Sequence, residues 1–166
     1  MEVNGIFVKK EINMTKYEEP FEDTQALFNQ VISEARLDQY GVTIKVLANN
    51  RAKEIFKVSK ANDLLKYRTG DDVTIVLNEK IFDKLTEQQK IIVVEEAVAY
   101  ISYDLENEKL VITQPDFIAH SGVLSKYTFN IVNVVRESIK TLYQVEKDAE
   151  DATKATTEKA NKQKAY

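Results

Sequence analysis

Residues 86–104, TEQQKIIVVEEAVAYISYD, are the stretch on which the reading of this chain turns. Thr86 with Gln89 three places on has the spacing of a capping box, in which the two side chains satisfy otherwise unpartnered amides at a helix start. Ile91, Val94, Val98 and Ile101 follow at steps of three and four and share one stripe. Ile92, Val93, Ala97 and Ala99 widen that stripe. The spacing predicts a helix buried on most of its surface and covered by a sheet. Two adjacent carboxylates, Glu95 and Glu96, lie inside this apolar run. Burying a carboxylate is costly unless it is paired or bound, so these two are the first candidates for a functional site.

Upstream, Glu18-Glu19-Pro20 is a break, because proline biases its predecessor away from helix. Asp23 or Thr24 can cap a helix from about Gln25 to Gln39, with Leu27, Val31, Ala35 and Leu37 on its apolar side and Gly41 after it. Val42–Leu47 alternates as a half-buried strand. Residues 51–67 suit two short helical pieces, and this segment carries Arg51, Lys53, Lys57, Lys60, Lys66 and Arg68 as a candidate partner-binding patch. Val73–Leu77 is a β-branched run fit for a central strand. Asn78 can cap the short turn that follows. Val3, Ile6 and Val8 could pair as a short strand, although an arm suits the mixed, charged N-terminus better.

Downstream, Lys109–Thr113 reads as a third strand, stopped by Pro115. A long helix begins at Ser121 or Gly122, with Val123, Leu124, Tyr127, Ile131, Val135 and Ile139 among its apolar positions. After about Val145 the apolar face disappears. The expected organisation is an N-terminal arm (1–22), one α+β domain (23–145) and a charged helical or disordered tail (146–166). The domain is built on a small, mostly three-stranded sheet against the buried helix.

Composition narrows the function. The chain has 166 residues and a net charge of -4, which does not favour general nucleic-acid binding. It has no cysteine, which removes thiolate metal sites and thiol nucleophiles. No apolar run reaches the roughly 20 residues of a membrane span, and no signal-peptide pattern opens the chain. A cytosolic protein, or one packaged without secretion, is expected. There is one histidine, His120.

The order of elements around the central helix carries a resemblance. A strand ends in Val76-Leu77-Asn78; the turn Ile81-Phe82-Asp83-Lys84-Leu85-Thr86 follows, then Glu87-Gln88-Gln89, the buried helix, and a strand leading to Pro115-Asp116-Phe117. Over roughly residues 48–127 this resembles the metallopeptidases encoded by tailed bacteriophages, whose compact zincin-like domain carries His-Glu-x-x-His on its helix and a third histidine after the next strand. Histidines at i and i+4 share a helix face and can ligate one metal ion, while the glutamate activates the bound water. The resemblance implies that fold. It places Glu95 at the first histidine, Glu96 at the glutamate, Ala99 at the second histidine and Pro115 at the third. All three imidazoles are then absent.

The expectation is therefore a non-catalytic, metallopeptidase-like phage protein that works through contact with a protein partner or with itself, without cofactor, catalytic residue or metal. Two alternatives stand beside it. One is a metal-dependent hydrolase with a carboxylate-rich site, in which Glu95, Asp116 and His120 hold a magnesium- or calcium-like ion and Glu96 is the catalytic residue. Asp104, eight residues from Glu96 and about 12 Å along a continuous helix, is too far to share that ion. The other is a regulator that meets nucleic acid or an acidic partner through the 51–68 basic segment. If Glu95 and Glu96 are structural instead, Tyr100, Tyr103, a backbone amide or a lysine would partner them, His120 would cap the last helix or lie in a loop, and Asp116 would order a turn.

Overall fold

The run Val73–Leu77 forms the middle strand of the main sheet in the computed structural model, which describes residues 16–115 and 120–164. We name it β3. Strand β1 (Ile44–Ala48) pairs with it in parallel and β2 (Phe56–Lys60) pairs with it antiparallel, giving the order β1-β3-β2. Val73, Ile75 and Leu77 are fully buried and alternate with half-buried Thr74 and Val76. Each such side chain contributes about 1.5–3 kcal/mol of burial, so the register of β3 is strongly specified.

Helix α1 (Glu22–Glu34) precedes the sheet, and α2 (Asp63–Thr69) bridges β2 and β3. Asn78 then caps α3 (Glu79–Phe82) by accepting from the Ile81 amide at 3.1 Å. The central helix is α4 (Glu87–Ala99), and both halves of the Thr86–Gln89 capping box are formed. Ile92, Val93, Val94, Ala97 and Val98 of α4 join Val46, Val73, Ile75 and Leu77 of the sheet in one core. Phe28 and Val31 of α1 complete it on one side. Val135, from the last helix α6 (Phe129–Lys164), completes it on the other.

Four features differ from the sequence reading. First, residues 51–67 are not two helices. Their first half is β2, because Phe56 and Val58 gain a pairing partner in β3 that no local pattern announces. Second, α4 stops at Ala99, and the apolar period that suggested helix to Asp104 passes into β4 (Ile101–Asp104). Third, β5 (Lys109–Ile112) pairs with β4 as a separate antiparallel hairpin and not with the main sheet. Fourth, α1 ends at Glu34, five residues early, where Arg36 takes φ +60° and a 3₁₀ turn Asp38–Tyr40 leads to Gly41.

Capping of α1 also differs. Neither Asp23 nor Thr24 is its N-cap; Phe21 is, with no side-chain cap bond of its own. Glu79, buried in α3, supplies the acceptor from elsewhere in the chain. Its Oε1 accepts from the Phe21 amide at 2.8 Å and from the Thr24 hydroxyl at 2.9 Å.

The last helical region is broken once. Helix α5 (Ser121–Lys126) ends at Tyr127, whose backbone is extended, and α6 starts two residues later. At 36 residues α6 is about 54 Å long. Lys80 (2.6 Å) and Lys84 both pair with Glu146 and tie α6 to α3, while Tyr143 donates to the Ala52 carbonyl at 3.2 Å. From 147 to 164 every residue is exposed, so the last turns are a solvated continuation of the helix. Among the described residues no helix is long and apolar enough to cross a membrane. The possible strand at Val3, Ile6 and Val8 lies outside the described residues.

Candidate functional site

Helical geometry sends neighbouring residues about 100° apart around an axis, so Glu95 and Glu96 leave α4 in different directions. Each enters its own cavity. Glu95 lines a cleft of about 570 Å³ between α4, the end of α1 and α5, whose walls include Val31, Val98, Ala99, Ile101 and Val123. Glu96 lines a second cavity of about 280 Å³ with Ile55, Phe56, Tyr100, Pro115 and Arg136. His120 lines both.

Each carboxylate is engaged by a cation of the chain itself. Lys126, in the last turn of α5, donates to Glu95 Oε1. Arg136, on α6, reaches Glu96 Oε1 through Nη2 at 3.3 Å. Burial raises the Glu96 carboxyl above its ordinary value, and the charge and hydrogen bond of Arg136 only partly restore it. Glu95 Oε2 is shut from solvent and receives no hydrogen bond from the described residues. The sequence offers Tyr100, Tyr103, a backbone amide or a lysine as partners for these carboxylates. The lysine is realised at Glu95. At Glu96 the partner is an arginine, which the sequence reading did not single out. One signal could have found it: Arg136 interrupts the otherwise apolar set Val132, Val135 and Ile139 on α6.

His120 is buried, at 7% exposure, and occupies the N-cap position of α5. Its carbonyl accepts from the Val123 and Leu124 amides at 3.0 and 3.1 Å; its side chain makes no cap bond. The imidazole instead packs edge-on against Tyr100, ring centres 4.6 Å apart and planes at 78°. Tyr100 in turn meets Phe56 edge-on at 5.8 Å. Asp104 leaves the helix altogether. It orders the β4–β5 turn, accepting from the amides of Glu106 (3.0 Å) and Asn107 (3.2 Å) and from Asn107 Nδ2 (2.7 Å). The contacts to Asn107 hold its carboxyl below the usual range. Asp116 lies outside the described residues. Among those that are described, no group of three or more metal-ligating side chains is assembled.

The basic segment is spread over three elements. Arg51 and Lys53 line a groove against α6 with Lys80, Glu146 and Glu150. Lys57 and Lys60 lie on β2, where Lys60 donates to the Leu110 carbonyl at 3.1 Å. Lys66 and Arg68 stand in the last turn of α2, with Lys66 paired to Asp72 at 2.7 Å.

Two tyrosines near these features resist ionisation. Burial, and then hydrogen bonding to Glu95 and its charge, push Tyr127 up to about 12; burial likewise pushes Tyr143 to about 12. The fold thus favours the neutral phenols. Their contribution to stability is intact below the ordinary tyrosine value of 10.0 and is lost as pH rises from 10 to about 12, where the unfolded chain releases protons that the fold retains. An ultraviolet titration of the native protein is expected to show a late tyrosinate component that disappears in the Tyr127→Phe/Tyr143→Phe double variant. A single-step titration would contradict this.

A family model described as "Putative phage metallopeptidase" matches residues 15–152 of this chain. The chain belongs to this family. The match spans the main sheet, α4, the hairpin and most of α6, so the phage metallopeptidase relationship takes in both cavities and both ion pairs. No curated protein and no solved structure matches the chain.

Proposed function

We propose that this member of the phage metallopeptidase family is non-catalytic and works through protein contact, in the host cytoplasm or on the virion. One observation carries the reading: both carboxylates at the heart of the family's motif region are engaged by the chain's own cations, Glu95 by Lys126 and Glu96 by Arg136. A glutamate acting as general base needs an open lone pair toward a metal-bound water. Here Glu96 faces an arginine in a cavity apart from that of Glu95. Of the positions that the resemblance gives to metal ligands, Ala99 and Pro115 offer no donor, and Glu95 is already held by a lysine. The described residues therefore do not fit a zinc ion. Exposed apolar side chains supply surface for a partner: Leu64 and Tyr67 on α2, Phe129 and Val134 on α6.

Elemental analysis of protein purified without chelator tests the reading. The expected result is substoichiometric zinc that Glu95→Ala leaves unchanged. Stoichiometric zinc abolished by Glu95→Ala would overturn it.

A further inference from the structure

The cleft beside Glu95 has the composition of a receptor for a basic side chain. Its walls are aliphatic, contributed by Val31 of α1, Val98 and Ala99 of α4, Ile101, and Val123 of α5. Such walls suit the methylene stem of lysine or arginine, whose charged head seeks an acceptor at the end. Among the described residues two carboxylates belong to the cleft, Glu34 at the end of α1 and Glu95 at its inner wall. Lys126 is the one lysine or arginine lining it among the described residues. Glu95 divides its oxygens: Oε1 takes Lys126, while Oε2 is removed from solvent and receives no hydrogen bond from the described residues. The Tyr127 hydroxyl already interacts with the Glu95 carboxylate, which helps to hold its proton; Oε2 itself has no hydrogen-bond partner among the described residues. A buried carboxylate oxygen in that state is an unmet acceptor, and a cation is what would meet it.

Lys126 is the resident competitor for this acceptor. Its own side chain is 58% exposed, so it enters from the solvent side and can leave the same way. The pair is open to solvent on the lysine side, where water competes with the contact and weakens it. An incoming ammonium or guanidinium can therefore share or take Glu95 at small cost.

We propose that the cleft bounded by Val31, Val98, Ala99 and Val123 is the docking site for a lysine or arginine side chain of a protein partner, with Glu95 as its acceptor and Lys126 as an internal placeholder. The inference rests on the non-catalytic reading above, because it assigns Glu95 to recognition instead of ligation.

The test uses full-length protein, with n-butylammonium and n-butylguanidinium chloride as probes and n-butanol as the uncharged control of equal chain length. Methyl chemical shifts of Val31, Val98, Ala99 and Val123 report occupancy. Both cations are expected to give saturable shifts, with dissociation constants on the order of millimolar. Lys126→Ala removes the competitor and is expected to tighten binding about threefold to fivefold. Glu95→Gln is expected to abolish saturation. Ala99→Leu, which fills the cleft without changing its charge, is expected to abolish it too, and that holds the inference to account should the Glu95 variant fold poorly. Equal response to n-butanol would overturn the proposal by showing a merely apolar cavity. So would a Lys126→Ala protein that binds the cations no better than the parent. Zinc uptake abolished by Glu95→Ala would sink the non-catalytic reading itself. Failure of the cation arm in zinc-free protein would sink this inference alone.

Discussion

Arg136→Ala is expected to destabilise the protein by about 2–3 kcal/mol at neutral pH and by much less in acid. Removing one member of a buried ion pair costs about 3–5 kcal/mol because the other charge stays behind unpaired. The guanidinium side chain here is 33% exposed, so the figure is scaled down for solvent screening. Glu96 keeps its buried place on α4 and loses the guanidinium that lowers its carboxyl, which burial already holds above its ordinary 4.5. The sign follows from proton counting. Above 4.5 the unfolded chain releases this proton while the folded variant retains it, so stability falls as pH rises through that window. Below 4.5 both states are protonated and the penalty vanishes. Urea unfolding of the variant at about pH 5 and about pH 8 reads the difference directly. Adding Glu96→Gln removes the stranded charge and should recover most of the neutral-pH loss. A pH-independent loss, unrelieved by Glu96→Gln, would show that Arg136 acts through packing alone.

Glu79→Ala comes next, with an expected loss of about 3 kcal/mol. Net hydrogen bonds to charged acceptors are worth roughly 1.5–3 kcal/mol each. Glu79 makes two, to the Phe21 amide and the Thr24 hydroxyl, at 3% exposure. The Phe21 amide opens α1, where a negative charge also meets the positive end of the helix dipole. Alanine leaves both donors unsatisfied, and Thr24, itself 6% exposed, has no easy route to water. Amide hydrogen exchange should accelerate most over Phe21–Gln25, at the start of α1. Glu79→Gln retains an oxygen acceptor and is expected to lose about half as much. A loss below about 1 kcal/mol for alanine, with exchange unchanged at those amides, would show that α1 is held by Phe28 and Val31 packing alone.

The two variants locate what holds the elements together, and neither contact is local in sequence. Glu79 lies 58 residues from Phe21, and Arg136 lies 40 from Glu96. The candidate site was legible only as a question. Two carboxylates in an apolar run stand out in any reading of residues 86–104, but what neutralises them comes from α5 and α6. His120 drew attention as the lone imidazole of the chain. Its place against Tyr100, with a ring on the wall of both cavities, depends on where α5 sets down.

Local chemistry alone determined the capping box at Thr86–Gln89, the burial of the helix behind it, the central position of Val73–Leu77, the Asn78 cap and an apolar-faced final helix as far as about Val145. Each is encoded in neighbouring residues by helical period, β-branching or a side chain within reach of its own amides. The tertiary structure decided the rest. Phe56–Lys60 became a strand because β3 offered an open edge, and Ile101 left the helix because Ile112 was there to pair with it. Glu95 and Glu96 were parted into separate cavities, each with its own cation. These outcomes follow from pairings between distant segments, whose strength depends on what the fold brings alongside, and a short window of sequence contains only one side of each pair.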